Sequence, residues 1–233
     1  MNILECKALT KAYKKGYPVL SNLNLDIPAG RIVGLLGPNG CGKSTLMKLI
    51  AGLLQPSGGE ILVDGHPIGE ESKALISFLP ERTYFNSRMK VSELVRFFDE
   101  FYEDFDKDRA YKLLADLGIP DSANLKTLSK GTKEKVQLVL VMSRAAKLYL
   151  LDEPIAGVDP AARDYILRTI VSNYDPEATI IITTHLITDV EQVLDDFVFL
   201  SYGGNILLSG NAEETRNETG KSLDELFKEV FRC

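Results

Sequence analysis

Gly37-Pro38-Asn39-Gly40-Cys41-Gly42-Lys43-Ser44 fits the pattern G-x-x-x-x-G-K-[ST], which is typical of a phosphate-binding loop. The apolar run 31–36 before it predicts a buried strand, and residues 45–50 after it have helical spacing. In that context the glycines let successive N–H groups face inward as an anion nest, at the positive end of a helix. We therefore expect Lys43 to bind the β- and γ-phosphates of a nucleotide, Ser44 to bind Mg²⁺, and Thr45 to contact the α-phosphate.

The composition is that of an ordinary globular protein, since 45% of the 233 residues are hydrophobic and 26% are charged. No apolar run reaches the roughly 18–20 residues of a membrane span, and residues 1–5 do not resemble the start of a secretory signal. Cys6, Cys41 and Cys233 are odd in number and far apart, which predicts neither a disulfide framework nor a zinc site and favours a reducing cytosol. The net charge of −6 disfavours nucleic acid as a partner.

A second motif is an apolar run that ends in two carboxylates, Lys147-Leu148-Tyr149-Leu150-Leu151-Asp152-Glu153-Pro154. A strand that is covered on both faces is continuously apolar, and ligands bind at the carboxyl ends of such strands. Asp152 therefore suits Mg²⁺ coordination through water, and Glu153 suits a general base that polarises an attacking water. A solvated acidic turn is the alternative, which the phosphate-binding loop makes less favourable because the two motifs together complete a metal–nucleotide site.

Together with four further segments, these motifs resemble the ATP-binding subunits of ABC transporters, in the order that this family has them. The four segments are Leu128-Ser129-Lys130-Gly131-Thr132 at the family's Leu-Ser-Gly-Gly-Gln signature, Ala156-Gly157-Val158-Asp159 at its D-loop, His185 at its switch histidine, and Tyr13 at its adenine-stacking aromatic. The resemblance runs from about residue 4 to about residue 210, and it implies ATP and Mg²⁺ as the cofactors.

In this family the signature faces the phosphate loop of a second subunit, so that two ATP molecules lie within a head-to-tail dimer. The resemblance implies that Ser129 and Gly131 hold the γ-phosphate of the partner's ATP and that Asp159 lies at the dimer seam. A hydroxyl and free N–H groups at a helix start suit that role physically. The alternative for Ser129 is a helix cap and nothing more.

Tyr13 and His185 gain their proposed roles mainly from the resemblance. Tyr13 has a flat apolar face that suits stacking on a purine, and its alternative is an aromatic residue of the core. His185 follows the apolar strand 179–184 and is implied to contact the γ-phosphate, as a catalytic residue beside Glu153 and Lys43. A lone histidine at a strand end is otherwise an ordinary surface or core residue.

The chain departs from the family pattern at three positions. Glu81 replaces the Q-loop glutamine and is expected to approach Mg²⁺ or the attacking water while adding negative charge near the triphosphate. Lys130 and Thr132 replace a glycine and the glutamine of the signature. Lys130 either pairs with a phosphate or an acidic neighbour or points to solvent, and we favour solvent because exposure is the usual state of lysine.

The order of the patterns predicts the fold class α/β: a P-loop NTPase of the ABC ATPase type. It should have a RecA-like, mostly parallel core sheet, an N-terminal antiparallel β part and a helical subdomain. We expect a single ATP-binding domain over 1–233, with 1–81 and 143–233 as the core subdomain and 82–142 as the helical signature subdomain. Gly118 is expected to end a helix over 110–117, and an amphipathic helix over 223–231 should pack on the core.

The resemblance implies an ATP-binding and ATP-hydrolysing subunit that powers transport by a separate transmembrane permease subunit. It should dimerise with a second ATP-binding subunit, identical or related, and lie peripherally at the cytoplasmic face of the membrane. Leu79-Pro80-Glu81 and the short C-terminus resemble bacterial drug- or peptide-resistance exporters, and we expect residues 81–89 to contact the permease. The alternatives are a nucleotide-switched interaction module with negligible hydrolysis and an ATPase that serves a cytosolic assembly.

Overall fold

The computed structural model describes residues 1–14, 16–156, 160–172 and 174–231. Within these residues the strands are β1 (Asn2–Lys14), β2 (Tyr17–Pro28), β3 (Ile32–Leu36), β4 (Gly58–Val63), β5 (His66–Pro67), β6 (Ile76–Leu79), β7 (Leu148–Asp152), β8 (Thr179–Thr184), β9 (Asp196–Leu200) and β10 (Ile206–Asn211). The helices are α1 (Lys43–Ile50), α2 (Glu70–Ala74), α3 (Val91–Phe101), α4 (Lys107–Asp116), α5 (Lys130–Met142), α6 (Pro160–Ser172), α7 (Ile187–Val190), α8 (Ala212–Thr219) and α9 (Leu223–Phe231), with a 3₁₀ turn at Leu125–Thr127.

The larger sheet has the strand order β10-β9-β3-β8-β7-β6 and is parallel except for the edge strand β10. Every residue of β3, β7 and β8 is buried, which explains the apolar run that each strand contains. Because parallel strands end at the same edge of a sheet, the phosphate-binding loop after β3, the carboxylates after β7 and His185 after β8 lie at one edge.

A second, antiparallel sheet has the order β2-β1-β4-β5 and contains the N-terminal strands. The hairpin from β4 to β5 turns at Asp64 and Gly65, which both have positive φ. Strands β1, β2 and β4 share one hydrophobic cluster with helix α1 and with the near face of the larger sheet. The predicted combination of a mostly parallel core sheet and an antiparallel N-terminal part is therefore confirmed.

Helices α3, α4 and α5 form a lobe with a hydrophobic cluster of its own, which we call the helical lobe. The side chain of Asp106 accepts a hydrogen bond from the backbone N–H of Arg109 at 2.9 Å, so α4 begins three residues before the predicted start. Gly118 follows α4 with φ +65°, which confirms it as the residue that ends this helix.

The C-terminal helix α9 packs on the core, as predicted, and the structure places it on the face of the larger sheet opposite α1. Phe227 makes an edge-to-face contact with Phe199 of β9, with ring centroids 5.4 Å apart, and Phe231 packs nearby. None of the helices in the described ranges combines the length and the apolar character that crossing a bilayer requires.

Candidate active site

A cleft of about 510 Å³ opens at the edge of the larger sheet where its parallel strands end. Both sequence motifs contribute to its walls, together with Glu81 from the segment after β6. The lining residues are Val19, Asn39, Gly40, Gly42, Lys43, Ser44, Thr45, Glu81, Glu153, Ala156 and His185. The fold thus brings together residues that are more than 140 positions apart in the sequence.

The loop that carries the first motif is tightly enclosed by its neighbours. Gly42 has φ +111° immediately before α1, and a Cβ atom there would lie 2.8 Å from the Leu20 side chain. A Cβ atom on Gly37 would lie 2.1 Å from the backbone oxygen of Leu200. Glycine is therefore required at both positions, and the backbone is free to turn its N–H groups toward the cleft.

Lys43 places its ammonium group inside the curve of this loop. Its Nζ donates hydrogen bonds to the backbone oxygens of Gly37, at 2.7 Å, and Pro38, at 3.2 Å. Lys43 is buried, and within the described residues it makes no ion pair with a carboxylate. Its charge is thus available to an anion in the cleft. Cys41 is buried behind the loop, and burial raises the pKa of its thiol.

Asp152 is the most buried acidic group of the site, with 1% of its surface exposed. Its Oδ1 atom accepts hydrogen bonds from the hydroxyl of Ser44 at 3.0 Å and from that of Thr183 at 2.7 Å. Its Oδ2 atom is buried and has no hydrogen-bond partner among the described residues. An unpartnered carboxylate oxygen beside a serine hydroxyl offers the hard oxygen ligands that Mg²⁺ prefers, so these residues fit this ion.

The rest of the cleft gives no cage made wholly of side chains for a metal. In the part of the chain that the structure describes, no three His, Cys, Asp or Glu side chains converge on one point. This is the usual situation for Mg²⁺, which keeps waters and phosphate oxygens as ligands and takes only one or two from the protein.

Glu153 lies directly after β7 with φ +54°, a left-handed conformation that is uncommon outside glycine. Its backbone N–H donates to the backbone oxygen of Thr183, at 3.0 Å, and to the Thr183 hydroxyl, at 3.1 Å. These bonds hold the unusual turn, which points Asp152 and Glu153 in different directions. The turn therefore separates a metal-binding carboxylate from a second one that lines the cleft.

The carboxylate of Glu153 pairs with His185. Its Oε2 atom lies 2.9 Å from His185 Nδ1, and 11% of the Glu153 side chain is exposed, against 49% for His185. Burial raises the pKa of Glu153 above its ordinary value, and the charges of His185 and Lys43 partly oppose that shift. A carboxylate with a raised pKa is a better proton acceptor than an ordinary one, as a general base needs.

Thr183 is a residue of this site that the sequence analysis missed. Its hydroxyl donates to the carboxylate of Asp152 and accepts from the backbone N–H of Glu153, so one side chain contacts both acidic residues. Thr183 of β8 is the direct register partner of Asp152 of β7. Nothing in the local sequence distinguishes it from Thr184, because only the register of the two parallel strands identifies it.

Tyr13 is exposed near the end of β1, with 58% of its surface accessible, so the core alternative is wrong. Its hydroxyl lies 3.3 Å from the hydroxyl of Thr45, at the start of α1. The ring therefore stands beside the cleft on the side of the antiparallel sheet. Lys11 Nζ lies 5.5 Å from the ring centroid, which adds a cation near its face.

The signature-like segment lies on the helical lobe and contributes no residue to the cleft lining. Ser129 caps α5, since its hydroxyl oxygen accepts from the N–H of Thr132 at 3.1 Å. A Cβ atom on Gly131 would meet nothing within 4 Å, so this helix start is open to the outside. Lys130 is 83% exposed, as we favoured, but its ammonium also lies 3.7 Å from the carboxylate of Glu134, so it forms the pair with an acidic neighbour that was the alternative. Asp159 lies outside the described residues.

Comparison with known proteins identifies the family. Residues 20–156 match the family model described as ABC transporter. The chain is 30% identical to the SkfA peptide export ATP-binding protein SkfE of Bacillus subtilis, over 87% of each protein. It is also 30% identical to the lantibiotic transport ATP-binding protein SrtF of Streptococcus pyogenes, over 97% of this chain and 96% of SrtF. Among solved structures, an ATP-binding subunit of an ABC transporter matches with a TM-score of 0.88 and 30% identity, over 98% of this chain and 99% of that one.

Proposed function

The chain belongs to the ABC transporter family as an ATP-binding, ATP-hydrolysing protein, and we propose that it powers export by a separate membrane subunit. The observation that carries this proposal is the single cleft in which the phosphate-binding loop faces Glu153 and His185. The relatives named for peptide export and lantibiotic transport support export as the direction. The functional unit would then lie peripherally at the cytoplasmic face of the membrane.

We assign phosphate binding to the loop 37–42 and to the start of α1. The Lys43 ammonium, which contacts the backbone oxygens of Gly37 and Pro38, donates hydrogen bonds to the β- and γ-phosphate oxygens when the nucleotide is bound. It has three N–H groups, so it can keep a bond to a backbone oxygen at the same time. The loop N–H groups and the positive end of α1 neutralise further charge. Thr45 lies next to the α-phosphate, and Tyr13 stacks on the adenine, because its exposed ring stands beside Thr45.

Ser44 and Asp152 are the residues that would hold Mg²⁺, and Glu81 also lines the cleft. When bound, this ion would supply positive charge that stabilises the negative charge on the transferred phosphoryl group. Ser44 already donates to Asp152, so the two oxygens are held together before any ligand arrives. Glu81 adds a negative charge where the family has a neutral glutamine, which should increase the dependence on the metal.

Glu153 is assigned as the general base that takes a proton from the attacking water. His185 donates to its Oε2 atom and thereby orients the carboxylate, and its other ring nitrogen is free to face the γ-phosphate. The positive charge of Lys43 stabilises the negative charge that develops on the transferred phosphoryl group. The presence of Glu153, held by Thr183 and paired with His185, argues against a module that binds ATP without hydrolysing it.

We propose that Ser129 and Gly131 act on the nucleotide of a second subunit. The signature-like segment lies away from the cleft of its own chain, and its helix start is open. A helix N-terminus with a free hydroxyl suits an anion, and a second chain in head-to-tail orientation would supply one. Each site is then completed across the dimer, and hydrolysis depends on dimer formation.

The pH dependence of hydrolysis should reflect the environment of Glu153. A base acts when deprotonated, and burial raises the pKa of Glu153, so the acid limb of the kcat profile should lie above the ordinary glutamate pKa. In His185→Ala the charge that lowers this pKa is gone, so the limb should move to still higher pH. The measurement is kcat at saturating ATP from pH 5 to 9, normalised to each variant's maximum. A limb that stays in place or moves to lower pH in His185→Ala would count against the assignment.

The surface next to Glu81 carries the features expected of a docking site for the membrane subunit. Three aromatic rings are exposed there or on the adjoining helix α3, namely Tyr84 (61%), Phe97 (52%) and Phe101 (66%). Phe97 and Phe101 stack with centroids 5.9 Å apart, and Tyr84 joins the lobe through Phe85. Large exposed aromatics in contact with one another mark interaction surfaces, and Arg82 adds a cation at the edge.

Docking is tested by copurification with the membrane subunit in detergent. Arg82→Glu and Tyr84→Ala are expected to lower the recovered complex by about tenfold or more, as loss of an interface anchor does. Lys112→Glu, a charge reversal at an exposed lysine of the same lobe, is the matched control and should bind normally. Unchanged recovery of the complex in both test variants would exclude residues 81–89 as the contact. Recovery of a cytosolic protein as the only partner would favour the assembly ATPase instead.

A further inference from the structure

Arg144 is a buried cation at the boundary between the larger sheet and the helical lobe, with 3% of its surface exposed. Toward the sheet, its Nη1 donates to the backbone oxygen of Ile76 and its Nη2 donates to that of Ala74 at 2.8 Å. Toward the lobe, its Nε and Nη2 donate to the two carboxylate oxygens of Asp104, at 3.0 and 3.1 Å. Four guanidinium N–H groups are therefore bonded, two on each side of the boundary.

The lobe side of this contact is reinforced by packing and by the main chain. The Cζ atom of Arg144 lies 3.9 Å from the ring centroid of Tyr102, which is a cation–π distance. The N–H of Ala145 donates to the backbone oxygen of Asp104 at 2.9 Å. Three contacts thus hold the connection between α3 and α4. They are the hydrogen bonds from the guanidinium to Asp104, the packing of the guanidinium on the Tyr102 ring, and the backbone hydrogen bond from Ala145. We call Arg144, Asp104 and Tyr102 the Arg144 cluster.

The Arg144 cluster lies at the first residue of β6 and just after the last residue of α5. The opposite end of each element leads to a proposed site residue. Ile76 begins strand β6, which runs to Leu79 and leads directly to Glu81 in the cleft lining. Helix α5 begins next to Ser129 and ends at Met142, two residues before the arginine. A displacement at the cluster would therefore be carried along both rigid elements, to the cleft and to the signature-like segment.

We propose that Arg144 is a positioning residue for ATP hydrolysis. Together with Asp104 and Tyr102, it sets the orientation of the helical lobe relative to β6, and so the place at which Ser129 meets the nucleotide of the second subunit. This inference depends on the proposed dimeric function. A bidentate guanidinium–carboxylate pair fixes direction as well as distance, which an apolar contact between two subdomains does not. Lysine cannot span the same four acceptors.

By sequence alone, the acidic run over 99–108 indicates a solvated junction between two helices and gives no sign of this role. The structure separates two kinds of aspartate within it. Asp99 makes an exposed ion pair with Lys107 at 3.1 Å, whereas Asp104 takes the buried arginine. Both aspartates lie in the helical lobe, but only the partner of Asp104, the arginine, also bonds to the sheet side. Asp99, which pairs with Lys107, is therefore a matched control for Asp104.

The test compares Asp104→Asn and Arg144→Lys with the control Asp99→Asn. Both cluster variants should lower kcat at saturating ATP by about fivefold or more, because they alter coupling between the subdomains. Their affinity for ATP should stay within about twofold of the wild type, since Lys43 and the phosphate-binding loop lie on neither β6 nor α5. Asp104→Glu keeps the carboxylate and should recover part of the activity. Asp99→Asn should behave as the wild type in both measurements.

A second measurement does not need turnover. ATP-dependent dimerisation is followed by sedimentation velocity in the Glu153→Gln variant, which retains the bound ATP. Adding Asp104→Asn to this variant should raise the protein concentration that is needed to form the dimer. A purely structural role would lower the melting temperature but leave kcat per folded protein and dimerisation unchanged, and that result would overturn the proposal. A wild type with neither turnover nor ATP-dependent dimerisation would contradict the proposed function itself, and the positioning role would fall with it.

Discussion

Replacing Glu153 with glutamine is expected to reduce ATP turnover by about 10²- to 10⁴-fold, the usual contribution of a positioned general base. Glutamine keeps the size of the side chain and an oxygen that faces His185, but it cannot accept a proton from water. Binding of ATP should be close to that of the wild type, because the phosphates are held by the loop and Lys43 rather than by Glu153. The measurement is kcat from a phosphate-release assay, with ATP affinity measured separately by calorimetry.

Glu177→Gln is the control for this experiment, since Glu177 is an exposed carboxylate that does not line the cleft. It should have wild-type turnover. If Glu153→Gln retained more than about a tenth of wild-type kcat, the general base would have to be another group. Glu81 would then be the first candidate, because it is the other carboxylate of the cleft lining.

Replacing Lys43 with alanine is expected to weaken ATP binding by about 30- to 1,000-fold, as the loss of a buried, hydrogen-bonded charge partner does. The ammonium is the cation at the centre of the phosphate-binding loop. Without it the loop keeps its N–H groups, but the triphosphate loses its charge-assisted donor. The measurement is the dissociation constant for Mg²⁺-ATP, with thermal unfolding recorded to verify that the variant folds.

Lys48→Ala is the matched control for Lys43→Ala, because Lys48 lies on the same helix and is exposed. Its ATP affinity should not change. An affinity of Lys43→Ala within about threefold of the wild type would mean that the loop alone binds the phosphates and that Lys43 has no direct role in binding.

The central sheet was predictable because its strands follow a simple rule. A parallel strand covered on both faces contains an apolar run, as in β3, β7 and β8, and ligand-binding polar residues lie where the strand ends at the carboxyl edge of the sheet. The phosphate-binding loop and the Asp152–Glu153 pair could thus be placed together before their contact was seen. Their separation in the sequence did not matter, since parallel strands share one edge.

Contacts that depend on register or on long side chains could not be predicted in this way. Thr183 contacts both Asp152 and Glu153 only because β8 pairs with β7 in one particular register. Arg144 lies next to the larger sheet and contacts Asp104 of the helical lobe, 40 positions away in the sequence, and its sequence neighbours give no periodic signal. Such positions are decided by tertiary packing, which local patterns do not encode.

The central claim is that each active site is completed by a second subunit, and specific ATPase activity measured against protein concentration tests it most directly. At saturating Mg²⁺-ATP, the activity per mole of wild-type chain should rise with concentration and then level off, while Glu153→Gln stays inactive throughout. Activity per mole that remains constant down to the lowest measurable concentration, with Glu153→Gln inactive, would contradict the claim, because a single chain would then contain the whole site.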